Sequence, residues 1–360
     1  MTKENSNKID EGNTPKNWNK LNVDTTLIRR GVLIFIFISV ISFAALFFYT
    51  NTGKIVEVWS EVNWYYLALG CVFIFNDLYL GGLRNHIFIR EFVPGISIIA
   101  SVKANLANIF LGAATPTQTG GGAAQIYIFH KYGVSLADNI SNSLFNWIST
   151  LIFFPLSGAL AIYILEDTIP DGLVLQLTHF GFRVFATLFI VVLIGLLAPN
   201  FLGSFISFIG RSLKYVFRNT GHKISLWGMK AATTLKDYQN RYRIFFRQKP
   251  HLFLYSFLLT IILYFNKYAL AYILLLAFEV QADFWTVISI QAVLYLLLYF
   301  SPSPGGSGIA EISIGVLMAS ILHEEYLASF ALLYRSFLVF VPAMMGAYVL
   351  LHQLKQEATA

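Results

Sequence analysis

The sequence predicts an all-α polytopic membrane protein with about six full spans plus two opposed re-entrant helical hairpins in an inverted repeat. The first observation is composition: 56% of the residues are hydrophobic and 12% are charged, whereas soluble domains carry about a quarter charged residues. The second is a series of long apolar runs, and the third is the uneven distribution of charge between these runs. Such a chain is suited to a lipid environment rather than to water.

The long apolar runs mark the predicted spans. A helix needs roughly 20 apolar residues to cross a hydrocarbon core of about 30 Å. Runs of this kind lie near residues 31–50, 64–83, 139–165, 174–198, 251–277 and 326–351. No signal-peptide cleavage site follows the first run, so we expect it to remain as a helix. The transmembrane domain is therefore predicted at 29–352, between a disordered cytoplasmic tail at 1–28 and a C-terminal tail at 353–360.

Charged residues between the runs predict the topology. The connection at 199–250 holds ten Lys and Arg residues against one acid, Asp237, which places it on the cytoplasmic side. Apolar residues at helical spacing within it favour amphipathic helices on the inner leaflet, and a plain basic linker is the alternative. The turn at 166–172 is acidic without Lys or Arg, which suits the outer side. We therefore expect a multi-pass protein of the cell (inner, cytoplasmic) membrane with both termini in the cytoplasm.

Two further apolar regions, 95–130 and 284–322, are interrupted in the middle by Pro and Gly. By the charge count, the first begins and ends inside, and the second begins and ends outside. Each is thus predicted to be a re-entrant hairpin, and short full crossings are the alternative. The resulting repeats, 29–165 and 174–352, have opposite orientations, as in many secondary transporters that bind substrate between inverted repeats.

The interruptions resemble each other, since each contains a hydroxyl-Pro-hydroxyl sequence followed by adjacent glycines. Proline and glycine break the helical hydrogen-bond ladder, and unpaired peptide groups at membrane depth are tolerated only inside protein or against water. The helix after each break would direct its N-terminal N–H groups at a cavity, where an anion such as phosphate binds. A kinked helix pair without a ligand is the alternative. The candidate binding residues are Thr115, Thr117, Gly120, Gly121, Ser303, Gly305, Gly306 and Gly308.

Four charged residues within apolar sequence complete the candidate site, because ionisable groups inside a membrane usually face a cavity or a partner. Glu311 could couple proton movement, bind a cationic headgroup or pair with an arginine. Arg335 and Lys267 could attract a lipid phosphate, and pairing of one of them with Glu311 is the alternative. Arg84 is either a headgroup anchor or an ordinary positive-inside flanking residue.

Several chemistries are not expected. The sequence contains no Walker loop, HExxH, GxSxG or Cys/His metal spacing, and its single cysteine is Cys71. We therefore expect no metal, no cofactor, no enzymatic activity and no nucleic-acid partner.

The tip sequences, together with Glu311 and Tyr334-Arg335, resemble the lysylphosphatidylglycerol synthase transmembrane family, the flippase-like domain of the bacterial multiple peptide resistance factor. The resemblance covers 30–352 and implies movement of aminoacylated phosphatidylglycerol or a related lipid between leaflets. The chain ends at Ala360 without the soluble synthase domain, so lipid synthesis is not expected.

The leading hypothesis is a lipid flippase or lipid transporter whose partner is an anionic or aminoacylated phospholipid or a polyprenyl-type lipid. The alternatives are a membrane enzyme acting on a lipid-linked sugar and an accessory membrane subunit. A homodimer remains an open alternative for its assembly.

Overall fold

A computed structural model describes residues 25–49, 55–166, 173–198, 249–299 and 301–358, with scattered positions between 201 and 208. The described residues form helices and turns and contain no strand. The helices are α1 (Thr25–Tyr49), α2 (Ile55–Ser60), α3 (Trp64–Phe92), α4 (Ile98–Ala114), α5 (Thr119–Lys131), α6 (Leu136–Glu166), α7 (Leu173–Leu197), α8 (Pro250–Ala277), α9 (Phe284–Leu298), α10 (Ile309–Met318), α11 (Glu324–Arg335) and α12 (Val341–Ala358).

Four helical stretches among the described residues are long and apolar enough to cross a membrane: Trp64–Phe92, Leu136–Leu165, Pro250–Ala277 and Glu324–Gln356. They confirm four of the predicted spans. The predicted runs at 31–50 and 174–198 form α1 and α7, whose apolar stretches are shorter. The protein is thus an all-helical membrane protein. Most of the predicted amphipathic connection at 199–250 lies outside the described residues.

Helical structure extends into the ranges predicted as tails at both ends of the described chain. Residues 1–24 lie outside the described part, and α1 already begins at Thr25, so the end of the predicted tail at 1–28 is helical. At the other end α12 continues to Ala358, within the predicted tail at 353–360. The ammonium group of Lys131 donates to the carbonyl of Gln353 at 3.0 Å, which holds this last part of α12 against the end of α5.

The first interrupted region is a helical hairpin. Helix α4 ends at Ala114, a 3₁₀ turn follows at Pro116–Gln118, and α5 packs back along α4. The Thr115 hydroxyl donates to the Leu111 carbonyl at 2.6 Å and accepts the Gly120 N–H at 2.9 Å. One side chain therefore satisfies the end of α4 and the start of α5, which is why the chain can reverse here.

The second interrupted region has the same order of elements: α9, a 3₁₀ turn at Pro304–Gly306, and the short helix α10. Gly305 and Gly308 both have positive φ, at 58° and 87°, a conformation that side chains with a Cβ rarely adopt. The 3₁₀ turn of this region contacts the 3₁₀ turn of the first, so the two tips lie against each other. Residues 115–122 and 301–308 are called the first and second tip below.

A wide π-helical turn at Ser336–Phe340 joins α11 to α12 within one continuous helix. Such turns are rare and insert an extra residue into an α-helix. Beyond it, Gly346 lies so close to α4 that a Cβ there would overlap the Leu106 carbonyl oxygen. The turn separates α11, which packs on α1, α2, α8 and α10, from α12, which packs on α4.

The outer surface of the bundle is apolar. Large hydrophobic side chains are widely exposed on several helices, including Phe37, Phe48, Phe75, Ile312 and Met344. A water-soluble monomer rarely exposes so much apolar surface, whereas a lipid-facing surface does. The largest buried cluster lies between α6, α8, α9, α10 and α11, with its aromatic rings packed edge-to-face and stacked.

Candidate functional site

A buried ion pair holds the second tip in place. Arg335 Nε donates to Glu311 Oε1 at 3.1 Å, and the two residues are 3% and 0% exposed. The other carboxylate oxygen, Oε2, accepts the Gly308 N–H at 2.6 Å, and Arg335 Nη2 donates to the Gly305 carbonyl at 2.9 Å. Glu311 thus has the arginine partner that the sequence left as one alternative, and both side chains bind the glycine backbone of the tip.

The same arrangement changes the expectation of a phosphate at the start of α10. Glu311 is the third residue of that helix, and its carboxylate satisfies the N–H group of Gly308, which precedes the helix. This is a capping interaction within the chain. The negative charge that the helix N-terminus favours is therefore already supplied by Glu311, which leaves that position unsuited to a second anion.

Lys267 also has a carboxylate partner. Its Nζ lies 2.6 and 2.7 Å from the two oxygens of Asp77, which joins α8 to α3. One residue earlier on both helices, Asn76 Nδ2 donates to Asn266 Oδ1 at 2.8 Å. Lys267 therefore pairs with Asp77 rather than with Glu311, and the two ion pairs in this region are separate.

Arg84 differs from the other two cations because no carboxylate pairs with it in the described part of the chain. Its Nη2 donates to the Asn146 carbonyl and to the Thr150 hydroxyl, the latter at 2.6 Å. Its Nε is buried and makes no hydrogen bond to any described group. A charge held only by neutral groups at such a position is a strong candidate for binding an anion.

Two adjoining cavities contain these cations. The Arg84 cavity, of about 300 Å³, is enclosed by α3, α4, α5, α6 and α8 together with Tyr299. The tip cavity, of about 230 Å³, lies where the tips meet. Asn108, Tyr264 and Tyr299 line both. The lining includes Arg84, Lys267 and Arg335 and no Asp or Glu. Asp77 and Glu311 lie behind Lys267 and Arg335, to which they are bound. Together, the three cations and the two carboxylates therefore carry a net charge of one positive unit.

The predicted site residues fall into three groups. Arg84, Lys267, Gly305 and Arg335 line the cavities. Glu311 lies behind Arg335. The others form the tips themselves: Thr115, Gly120 and Gly121 in the first, and Ser303, Gly306 and Gly308 in the second. Thr117 belongs to the first tip, and its side chain lies outside the described part.

Sequence reasoning noticed the polar arm with Asn105 and Asn108 but missed the partners that complete an amide network beside Arg84. Asn146 Nδ2 donates to Asn85 Oδ1 at 2.9 Å, as does Asn142 Nδ2, while Asn108 Nδ2 donates to Gln125 Oε1 at 3.0 Å. The available signal was a polar stripe along an apolar span of α6: Asn139, Asn142, Ser143, Asn146 and Thr150 recur at helical spacing. Such a stripe cannot face lipid, and it faces the Arg84 cavity.

Comparison with known proteins finds similarity to membrane proteins. The chain is similar to the "UPF0104 membrane protein" of Archaeoglobus fulgidus, with 22% identity over 308 residues, which cover 84% of this chain and 91% of the relative. The model of the family described as "Lysylphosphatidylglycerol synthase TM region" matches residues 32–346. Because that match includes both tips, the cavities and the ion pairs, the protein belongs to the lysylphosphatidylglycerol synthase TM region family.

Proposed function

We propose that the protein is a lipid flippase or lipid transporter that moves a phospholipid, or another lipid with a phosphate-containing head, between the leaflets of the cell membrane. The headgroup enters the Arg84 cavity and the tip cavity, while the acyl chains remain in the surrounding lipid. The observation that carries this proposal is a polar, net positive cavity inside a bundle whose outer surface is apolar. The family name, which refers to a phospholipid synthase, supports a lipid as the cargo.

The arrangement of the tips supports transport rather than storage or a structural role. In this proposal the two interrupted regions are re-entrant hairpins from opposite faces of the membrane, in an inverted repeat with both termini in the cytoplasm. The tips then meet near the middle of the bilayer, and the cavities on their flank lie at similar depth. A site at the midplane between two repeats is the usual arrangement in transporters that expose it alternately to the two sides.

The proposal is tested with purified protein in liposomes that contain a fluorescent phospholipid, whose exposure in the outer leaflet is measured by chemical quenching. Gly122→Phe is the informative variant, because Gly122 lines the Arg84 cavity and a Cβ there meets no atom within 4 Å. The added ring fills the cavity without removing a charge. Gly95→Phe is the matched control, because a Cβ at Gly95 also meets no atom within 4 Å and Gly95 lies in the loop before α4.

We expect wild type and Gly95→Phe to move the labelled lipid faster than protein-free liposomes, and Gly122→Phe to return to that background. Equal rates for the two variants would remove the cavity from the transport path. No movement of any phospholipid or polyprenyl lipid by wild type would contradict the proposal. Turnover of a lipid-linked sugar in the same preparation would then identify an enzyme instead.

A further inference from the structure

The charges around the two cavities restrict the kind of headgroup that fits. Both carboxylates near the cavities, Asp77 and Glu311, are already bound to cations of the protein. Each oxygen of Glu311 has a donor of its own. Lys267 Nζ lies 2.6 and 2.7 Å from the two oxygens of Asp77 and donates a hydrogen bond to Oδ2, while Oδ1 is held by the ion pair alone. A cationic group that entered would find no carboxylate in the described lining and would instead approach Arg84.

Two groups in the Arg84 cavity remain available for a ligand. The first is Arg84, whose Nε makes no hydrogen bond within the described structure. The second is Asn105, whose side-chain amide packs against Gly81 and has no hydrogen-bond partner among the described residues. A guanidinium binds phosphate oxygens well, and an amide both donates to and accepts from a hydroxyl. The pair therefore suits an anionic phosphate beside a neutral hydroxyl group.

We propose that the Arg84 cavity selects lipids whose head consists of one phosphodiester and neutral hydroxyl groups, and that it excludes heads carrying an aminoacyl ammonium group. A single phosphodiester neutralises the one excess positive charge. A lysylated head brings its own positive charges into a cavity that is already positive. Like charges brought together in a poorly hydrated site oppose binding strongly. The choice of a lipid as ligand rests on the proposed function, whereas the choice of head rests on the charges and on the unpartnered amide of Asn105.

The test measures binding in detergent, without transport. Short-chain phosphatidylglycerol, its lysylated counterpart and the deacylated head glycerophosphoglycerol are titrated against the full chain. Binding is followed by tryptophan fluorescence because Trp147 lines the cavity. We expect phosphatidylglycerol to bind at least about tenfold more tightly than the lysylated lipid. Equal or tighter binding of the lysylated lipid overturns the inference. Equally tight binding of glycerophosphoglycerol overturns the lipid source and identifies a soluble phosphodiester as the ligand.

Three variants locate the effect. Arg84→Gln removes the charge but keeps an amide donor, and we expect it to weaken phosphatidylglycerol binding by about tenfold or more. Arg90→Gln is the control, because Arg90 is an exposed arginine on the same helix. Asn105→Asp adds a carboxylate to the cavity, so the preference for phosphatidylglycerol over the lysylated lipid should fall by about tenfold.

Unchanged selectivity in Asn105→Asp overturns the inference even if Arg84→Gln does not fold. The outcomes also separate this inference from the proposed function. Selective binding without leaflet exchange in liposomes rejects transport and leaves the selectivity intact. Leaflet exchange of both lipids at equal rates, unaffected by Arg84→Gln, supports transport and rejects the selectivity.

Discussion

Replacing Glu311 with glutamine should destabilise the protein severely, because it leaves Arg335 as an uncompensated buried charge. The carboxylate accepts two hydrogen bonds, from Gly308 N at 2.6 Å and from Arg335 Nε at 3.1 Å. A glutamine amide offers one oxygen and one NH₂ group, so one of these donors would face another donor. Hydrogen bonds to charged groups contribute about 1.5–3 kcal/mol each, and breaking a buried ion pair costs about 3–5 kcal/mol. We therefore expect a loss of about 3–5 kcal/mol in the free energy of unfolding.

The assay is unfolding in mixed detergent micelles, with a second ion pair as the control. Lys249 pairs with Glu91, and their side chains are 42% and 20% exposed. Glu91→Gln makes the same chemical change where water can replace the lost interaction, so its cost should stay below about 1 kcal/mol. In Arg335→Met combined with Glu311→Gln, no unpaired charge remains, and part of the loss should be recovered. If Glu311→Gln costs no more than Glu91→Gln, the reasoning from burial is wrong.

Three further predictions concern other positions. Gly346→Ala should lower the free energy of unfolding by at least about 1 kcal/mol in the same assay, because its Cβ would overlap the Leu106 carbonyl. Gly122→Ala is the control, because a Cβ there meets no atom within 4 Å. Equal losses for the two variants would contradict the close approach. Lys267→Met should destabilise the protein by about 3 kcal/mol, because it leaves Asp77 unpaired, and adding Asp77→Asn should recover part of this loss. A double variant no more stable than the single one would show that the lost ion pair does not cause the destabilisation. The Thr286 backbone N–H and hydroxyl, which donate to Asp283 before α9, lower the pKa of that carboxyl below its ordinary value of 3.8. The ionised Asp283 carboxylate therefore stabilises the fold above about pH 3.8, and this stabilisation is lost as pH falls through the lowered pKa. The difference in unfolding midpoint between wild type and Asp283→Asn should accordingly disappear at acid pH. A difference that persisted there would contradict the assignment.

The positions of helices and breaks could be predicted from the sequence, because they depend on local properties. Long apolar runs identify α3, α6, α8 and the α11–α12 helix, and the Pro-Gly clusters identify both tips. Pairing could not be predicted in the same way. Glu311 and Arg335 are 24 residues apart, and Asp77 and Lys267 are 190 apart, so the sequence names the charged residues without their partners.

The Arg84 cavity shows a second limit of sequence reasoning. Ionisable residues in apolar sequence attract notice at once, whereas neutral amides such as Asn142 and Asn146 do not. In the structure these amides hold Asn85 and surround the arginine, so much of the site's polarity comes from uncharged side chains. Helical periodicity of polar residues, applied to each apolar span, would have found them.

Because of the π-helical turn at Ser336–Phe340, the parts of the last long helix before and after the turn face different partners. One residue corresponds to about 100° of rotation in an α-helix. If all residues of the turn were kept but formed a regular α-helix, α12 would be rotated by about that angle relative to Arg335. Gly346 would then no longer face the Leu106 carbonyl, and bulkier neighbours would meet α4 instead. The extra residue therefore allows one continuous helix to present Arg335 to the second tip and a surface of small residues to the first hairpin.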